Sequence, residues 1–225
     1  MQPHWEVLTR ETEKLYKAVA RLPFISEFYL AGGTGLALQI GHRFSVDLDF
    51  FGDLPEAVDQ EQRKAILNIL MNDPSLMVTW DKDGTFVAHW RGVGVSFFRL
   101  DRHPLTKPPI SIGGIQVATV EEIGAMKLAA ILSRGNRKDY IDLYFILQQT
   151  TLTHLFEISA IKYPYNAAFP IFAVRALAYF DDAESDPMPR MIRPVKWEQI
   201  KAYLEKQAID IGQKRLELEK LWPKK

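Results

Sequence analysis

Two aspartates one residue apart, Asp47 and Asp49, follow closely on a glycine pair, Gly32-Gly33, and Thr34. In an extended strand alternate side chains share a face, so the spacing Asp47-Leu48-Asp49 predicts two carboxylates side by side, with Leu48 and Phe50 turned the other way. Two like charges on a partly buried face repel, and a cation between them removes the repulsion. Mg²⁺ suits the pair, because it takes one or two protein carboxylates and fills its octahedron with phosphate oxygens and water. The glycines supply the other half. Without a Cβ they let a ligand approach the backbone, and Thr34 is then placed to cap a short helix over 35–40 whose free N–H groups favour a phosphate. A phosphate cradle and a pair of metal-binding carboxylates within one short stretch are the parts that magnesium-dependent phosphoryl or nucleotidyl transfer requires. Each alone has a plainer reading, as turn chemistry or as a solvated strand edge; the combination is what is specific.

The elements that must position these groups are legible around them. Phe28–Ala31 is apolar and stops at the glycines, which predicts a short buried strand. Gly41 ends the short helix, and 44–51 is expected as a second strand. An amphipathic helix is expected over 5–22, ending before Pro23, and another over 59–71. From 76 to 116 the texture is strand-like: runs at 77–81, 85–91 and 94–100 separated by glycine turns, then a small hairpin over 110–117 at Gly113-Gly114. The third run carries Ser96, with Asp101 just beyond its end and no acid within it. Two metals in one site need shared carboxylates, so the two acids here are expected to hold one ion more firmly than two.

Beyond 118 the pattern is helical. A helix opens at Thr119-Val120-Glu121-Glu122 and carries Lys127 and Arg134, seven apart and so on nearly one face. Gly135-Asn136 breaks it, and a second helix over 138–148 has Asp139 and Asp142 in its first turn. These acids can complement the helix dipole, support Lys127 and Arg134, or meet a base or metal-bound water. Further helices are expected over 152–162, 167–179 and 196–221, with 181–194 as a connecting loop. Charged residues of the last helix, from Glu205 and Lys206 to Lys214, Arg215, Glu217, Glu219 and Lys220, read as a solvated face.

The string Gly32-Gly33-Thr34, thirteen residues over 34–46, then Asp47-Leu48-Asp49 resembles the signature of the DNA polymerase β-like nucleotidyltransferases. The fuller run GGTGLALQIGHRFSVDLDF is similar to the AbiEii/AbiGii toxin branch, as is the downstream block Lys127…Arg134…Lys138-Asp139-Tyr140-Ile141-Asp142-Leu143. The resemblance covers roughly 28–148. It implies an α+β fold: a polymerase β-like lobe, a mixed sheet flanked by helices, over 1–118, and a helical lobe over 119–225, with the active site in the cleft between them. It implies transfer of a nucleoside monophosphate from a nucleoside triphosphate to an acceptor hydroxyl, with Mg²⁺ or Mn²⁺ held by Asp47 and Asp49. Asp47, Asp49, Lys127 and Asp139 are then the catalytic set. Gly32, Gly33, Thr34, Arg43, Ser45, Arg134 and Asp142 form the nucleotide site, in which Lys127 and Arg43 neutralise the departing pyrophosphate. The branch implies the toxin of a toxin–antitoxin or abortive-infection (phage-defence) system, a cognate antitoxin, and tRNA or other RNA as the favoured acceptor. A small-molecule or protein acceptor, and a nucleotide-binding protein with impaired catalysis, stay open alternatives.

Composition limits the remaining classes. With 28 basic and 28 acidic residues among 225, the chain has no global cationic field, so a nucleic acid would need a local patch. A weak candidate track is Arg134, Arg137, Lys138, Arg190, Arg193 and Lys196. There is no cysteine, and the five histidines lack metal-ligand spacing, which removes thiol chemistry, disulfides and zinc. No signal peptide and no apolar run of membrane-spanning length are evident, and a cytoplasmic location is the expectation.

Overall fold

The computed structural model describes residues 2–71 and 73–213. The chain divides into two compact units, Met1–Thr119 and Val120–Lys225.

The first unit is built on a seven-stranded mixed sheet. Its strands are β1 (Phe28–Leu30), β2 (Leu48–Gly52), β3 (Met77–Lys82), β4 (Thr85–Trp90), β5 (Val93–Arg99), β6 (Ile110–Ile112) and β7 (Ile115–Val117), in the spatial order β3-β4-β5-β2-β1-β7-β6. Parallel pairings of β2 with β5 and β1 with β7 alternate with antiparallel ones, including β1 with β2. One sheet face is the core. Leu48, Phe50, Phe86, Ala88, Val95 and Phe97 alternate onto it and are fully buried, each large apolar side chain contributing about 1.5–3 kcal/mol. Phe97 stacks on Phe50 at 4.7 Å and meets Phe28 edge-on at 5.3 Å. The opposite face carries Asp49 and Phe51 of β2, next to Ser96 and Phe98 of β5.

The α-helices of this unit, among the described residues, are α1 (Arg10–Val19), α2 (Gly32–Ile40) and α3 (Gln60–Leu70). The helix expected over 5–22 is shorter. Residues Trp5–Val7 form a 3-10 turn, and α1 starts only at Arg10, because the Thr9 side chain accepts from the Thr12 amide and fixes the N-terminus there. On α1, Tyr16 donates to the Ile112 carbonyl at 2.6 Å and so ties the helix to the β6–β7 hairpin. The second strand starts at Leu48 rather than at residue 44, leaving Asp47 just ahead of it.

The second unit is helical, with α4 (Val120–Ser133) packed against α5 (Arg137–Ile146), α6 (Leu152–Lys162) and α7 (Phe169–Ala176). A short helix, α8 (Asp181–Glu184), occupies the start of the stretch expected as a loop. It forms because Arg137 binds the Ala183 and Glu184 carbonyls at 2.9 and 2.8 Å, giving the end of this turn partners. The last described helix, α9 (Trp197–Gly212), buries Ile200, Leu204 and Ala208. The expected continuation to 221, with Lys214, Arg215, Glu217, Glu219 and Lys220, lies outside the described residues. Among the described residues no helix is long and apolar enough to cross a membrane.

Candidate active site

The loop from β1 enters α2 at Gly32, three residues earlier than Thr34-capping predicts. Ala31 is the N-cap and makes no side-chain bond. The first turn of α2 is therefore made of Gly32, Gly33 and Thr34, and its amides form the helix N-terminus, a position that favours anions. Gly32 has φ +62°, which L side chains adopt only at a cost, and a Cβ built there would stand 2.8 Å from Asp49 Oδ2. A Cβ on Gly33 would collide with Arg43 Nη2 and lie 3.1 Å from Ser45 Oγ. Glycine at both positions is thus what lets the Asp49 carboxylate, the Arg43 guanidinium and the Ser45 hydroxyl close on this turn.

Thr34 has a different task from the one its position suggests. It is buried, its hydroxyl donates to the Asp47 backbone carbonyl, and it shares a 2.8 Å hydrogen bond with Ser45 Oγ. It is not the helix cap; it pins the chain at the first aspartate. Arg43 is also buried, with Nη1 donating to the Phe44 carbonyl at 3.0 Å.

Asp47 is exposed and Asp49 half-buried. Asp47 Oδ1 accepts from the Gly94 amide at 3.1 Å, which holds the carboxylate over the start of β5. Asp49 lies directly across from Ser96 in the parallel β2–β5 register. A third acid on β5 would stand at Ser96; the chain has a hydroxyl there, and Asp101 lies beyond the strand end. Among the described residues no three His, Cys, Asp or Glu side chains form a metal-binding group. Gly94 is the one member of this cluster that the linear pattern does not reveal: its contribution is a backbone N–H, and only the β2–β5 pairing brings it to Asp47.

The remaining predicted residues form a second cluster, inside the helical unit. Lys127 on α4 sits between two acids of α5, Asp139 in its first turn and Asp142 one turn on, with Nζ 2.7 Å from Asp139 Oδ1 and 2.6 Å from Asp142 Oδ2. Arg134 reaches Asp139 from the other side, through Nε at 2.9 Å and Nη2 at 3.1 Å. Asp139 and Asp142 are completely buried and Lys127 nearly so, whereas about half of the Arg134 side chain is exposed. Burial alone would raise the Asp139 pKa, but the Lys127 charge and the Arg134 hydrogen bonds outweigh it and hold the carboxyl below its ordinary range. Of the roles open to the two acids from sequence, the one these contacts fill is support for Lys127 and Arg134. Arg137, from the suggested basic track, is largely buried and held by Ala183 and Glu184.

The family described as "Nucleotidyl transferase AbiEii toxin, Type IV TA system" matches residues 14–217. The chain belongs to this family. An AbiEii-type match of that extent takes in both clusters and both units, well beyond the stretch that carries the sequence motifs. A protein of Aquifex aeolicus with no described function is 33% identical over 206 residues, 88% of this chain and 95% of that protein. The chain is also similar in fold to MenT4, a nucleotidyltransferase toxin of Mycobacterium tuberculosis, with a TM-score of 0.59, 18% identity and coverage of 94% and 85% of the two chains. JHP933 of Helicobacter pylori gives a TM-score of 0.55 at 22% identity, with 95% of each chain covered. The α+β, polymerase β-like nucleotidyltransferase fold expected from the resemblance is the fold observed.

Proposed function

We propose that the chain transfers a nucleoside monophosphate from a nucleoside triphosphate to an acceptor hydroxyl, with RNA as the favoured acceptor. Its biological role in this reading is that of a toxin restrained by an antitoxin protein. The observation that carries the reading is the convergence of Asp49, Arg43 and Ser45 on the Gly32-Gly33 turn at the start of α2, with Asp47 held beside them by Gly94.

The α2 amides, the Ser45 hydroxyl and Arg43 take the phosphate oxygens, so positive charge faces a polyanion. Asp47 and Asp49 suit a hard divalent cation, being oxygen donors accessible to solvent, and two carboxylates are the number Mg²⁺ needs when phosphates complete its shell. Mg²⁺ or Mn²⁺ held there would supply charge to offset what develops on the phosphates. The acceptor hydroxyl loses its proton to solvent, its oxygen bonds to the α-phosphorus as the bond to the α–β bridging oxygen breaks, and pyrophosphate leaves with that electron pair. Thr34 fixes the Asp47 backbone and is a positioning residue. Lys127, nearly buried between Asp139 and Asp142, is a positioning residue within its own unit, and of the family block only Arg134, half of whose side chain is exposed, is kept as a candidate phosphate contact on the strength of the resemblance.

The test is incubation with labelled nucleoside triphosphates and Mg²⁺, first with total RNA and then with protein extract. Label in RNA that disappears in the Asp47→Asn/Asp49→Asn double variant supports the reading. Label only in protein would reassign the acceptor. Ser96, standing where a third acid could, favours one rival: a protein that binds nucleotide without turnover. Calorimetry with Mg²⁺ and triphosphate, paired with a pyrophosphate-release assay, separates binding from transfer. Expressing the chain alone should slow growth, and the double variant should not.

A further inference from the structure

The sheet face that carries Asp49 continues outward to the edge of the sheet. Asp49 is paired with Ser96 on β5, Ser96 with Val87 on β4, and Val87 with Trp80 on β3. Residues opposite one another across strands share a face, so Trp80 stands on the Asp49 side, three strand spacings or about 14 Å away. Met77, paired with His89, and Lys82, paired with Thr85, lie on the same face beside it. The irregularity between Val78 and Trp80 is what sets this phase: it leaves Val78 opposite Ala88, on the core side, and brings Trp80 to the other.

This part of the face is open. Trp80 is 47% and Met77 64% exposed. Lys82 holds its ammonium 4.4 Å from the centre of the Trp80 ring. The acid between them, Asp81, is opposite core-facing Phe86 and is bound by Arg63 at 2.7 Å, so the charge that β3 presents on the Asp49 side is positive.

An exposed ring beside a cation, on a row leading to the carboxylates, has the chemistry of a single-strand nucleic-acid platform: bases stack on aromatic rings while cations follow the phosphates. A strand-adding protein partner suits this edge less well, because the irregularity in β3 interrupts the row of backbone groups that such a partner would pair with. We propose that Trp80 stacks a base of a single-stranded RNA acceptor and that Lys82 meets an adjoining phosphate, which directs the strand along the sheet toward Asp49. This inference rests on the nucleotidyl-transfer reading for its direction of travel, but RNA binding at Trp80 can be measured without it.

The experiment uses the full chain and a short fluorescein-labelled single-stranded RNA with a free 3′ hydroxyl, titrated by fluorescence anisotropy at several salt concentrations. Trp80→Ala should weaken binding about tenfold and Trp80→Phe should restore most of it. Lys82→Met should lower the slope of log affinity against log salt by about one. Calorimetric affinity for Mg²⁺-triphosphate should be the same in all variants. Equal RNA binding by the wild type and Trp80→Ala, or no binding by the wild type, overturns the proposal. A shift from dimer to monomer in sedimentation on Trp80→Ala, with RNA binding unchanged, also overturns it and assigns the edge to a second copy of the chain. Loss of RNA binding in Trp80→Ala, in a protein whose wild type labels no RNA, upholds the platform while the transfer reading fails. Labelling of RNA with an unchanged KM in Trp80→Ala has the opposite meaning.

Discussion

Replacing Lys127 by methionine tests whether the second cluster is the desolvated ion-pair network its geometry describes. The ammonium lies within 2.7 Å of two carboxylates that have no solvent exposure. Methionine nearly matches the volume of the lysine stem but removes the charge, leaving Asp139 and Asp142 buried without it. Removing one partner of such a pair costs about 3–5 kcal/mol, and Arg134, which still reaches Asp139, offsets part of the loss there. Against a total stability of about 5–15 kcal/mol, the melting temperature should fall by about 6–20 °C for a chain of this size. Urea unfolding followed by circular dichroism at pH 7 measures the loss, with an unchanged m-value marking a true change in stability. The companion variant Lys127→Met/Asp139→Leu/Asp142→Leu replaces all three charges and should recover most of it, because apolar groups need no partner. A loss below about 1 kcal/mol in the single variant, typical of exposed pairs, would refute the claim that these charges are held away from water.

Asp47→Asn/Asp49→Asn should abolish transfer while shifting the melting temperature little, since Asp47 is exposed and Asp49 half-buried; parallel activity and melting measurements decide it. Gly32→Ala places a side chain at φ +62° and 2.8 Å from Asp49 Oδ2. It should cost about 1–2 kcal/mol in backbone strain and lower transfer by more than tenfold; unchanged kcat/KM would show that Asp49 need not approach this turn. The folded-state pKa of Asp139 is depressed, so its stabilisation is fully present above the ordinary carboxylate pKa of about 3.9 and is lost as pH falls through the lowered folded value. Asp139→Asn should therefore flatten the acid limb of the stability–pH curve, measured by denaturant titrations between neutral pH and the acid transition.

How much of this was legible in the linear chain depends on what kind of group does the work. Glycines, carboxylates and alternation of apolar residues leave a local signal, and from these the sequence by itself determined the glycine turn, the paired aspartates, the strand-rich stretch over 76–116 and the helical second half. The family block likewise marked Lys127, Arg134, Asp139 and Asp142. Local propensity was less reliable at boundaries: Thr9 rather than the apolar spacing set the start of α1, and the phase of 44–47 suggested a strand where Arg43 and Thr34 instead hold an irregular approach to β2.

The tertiary structure alone decided which partner each polar group takes. Thr34 has the pattern of a helix cap, yet its hydroxyl is committed to the Asp47 carbonyl, and the helix starts ahead of it at Gly32 with no side-chain cap. Gly94 matters through a backbone amide, which has no side-chain identity for a sequence to display. Ser96 and Trp80 fall on the Asp49 face only because of strand order and one irregularity in β3. A sequence fixes the period of each element, but the register between elements is set by how their apolar faces pack, and it is register that decides which side chains meet.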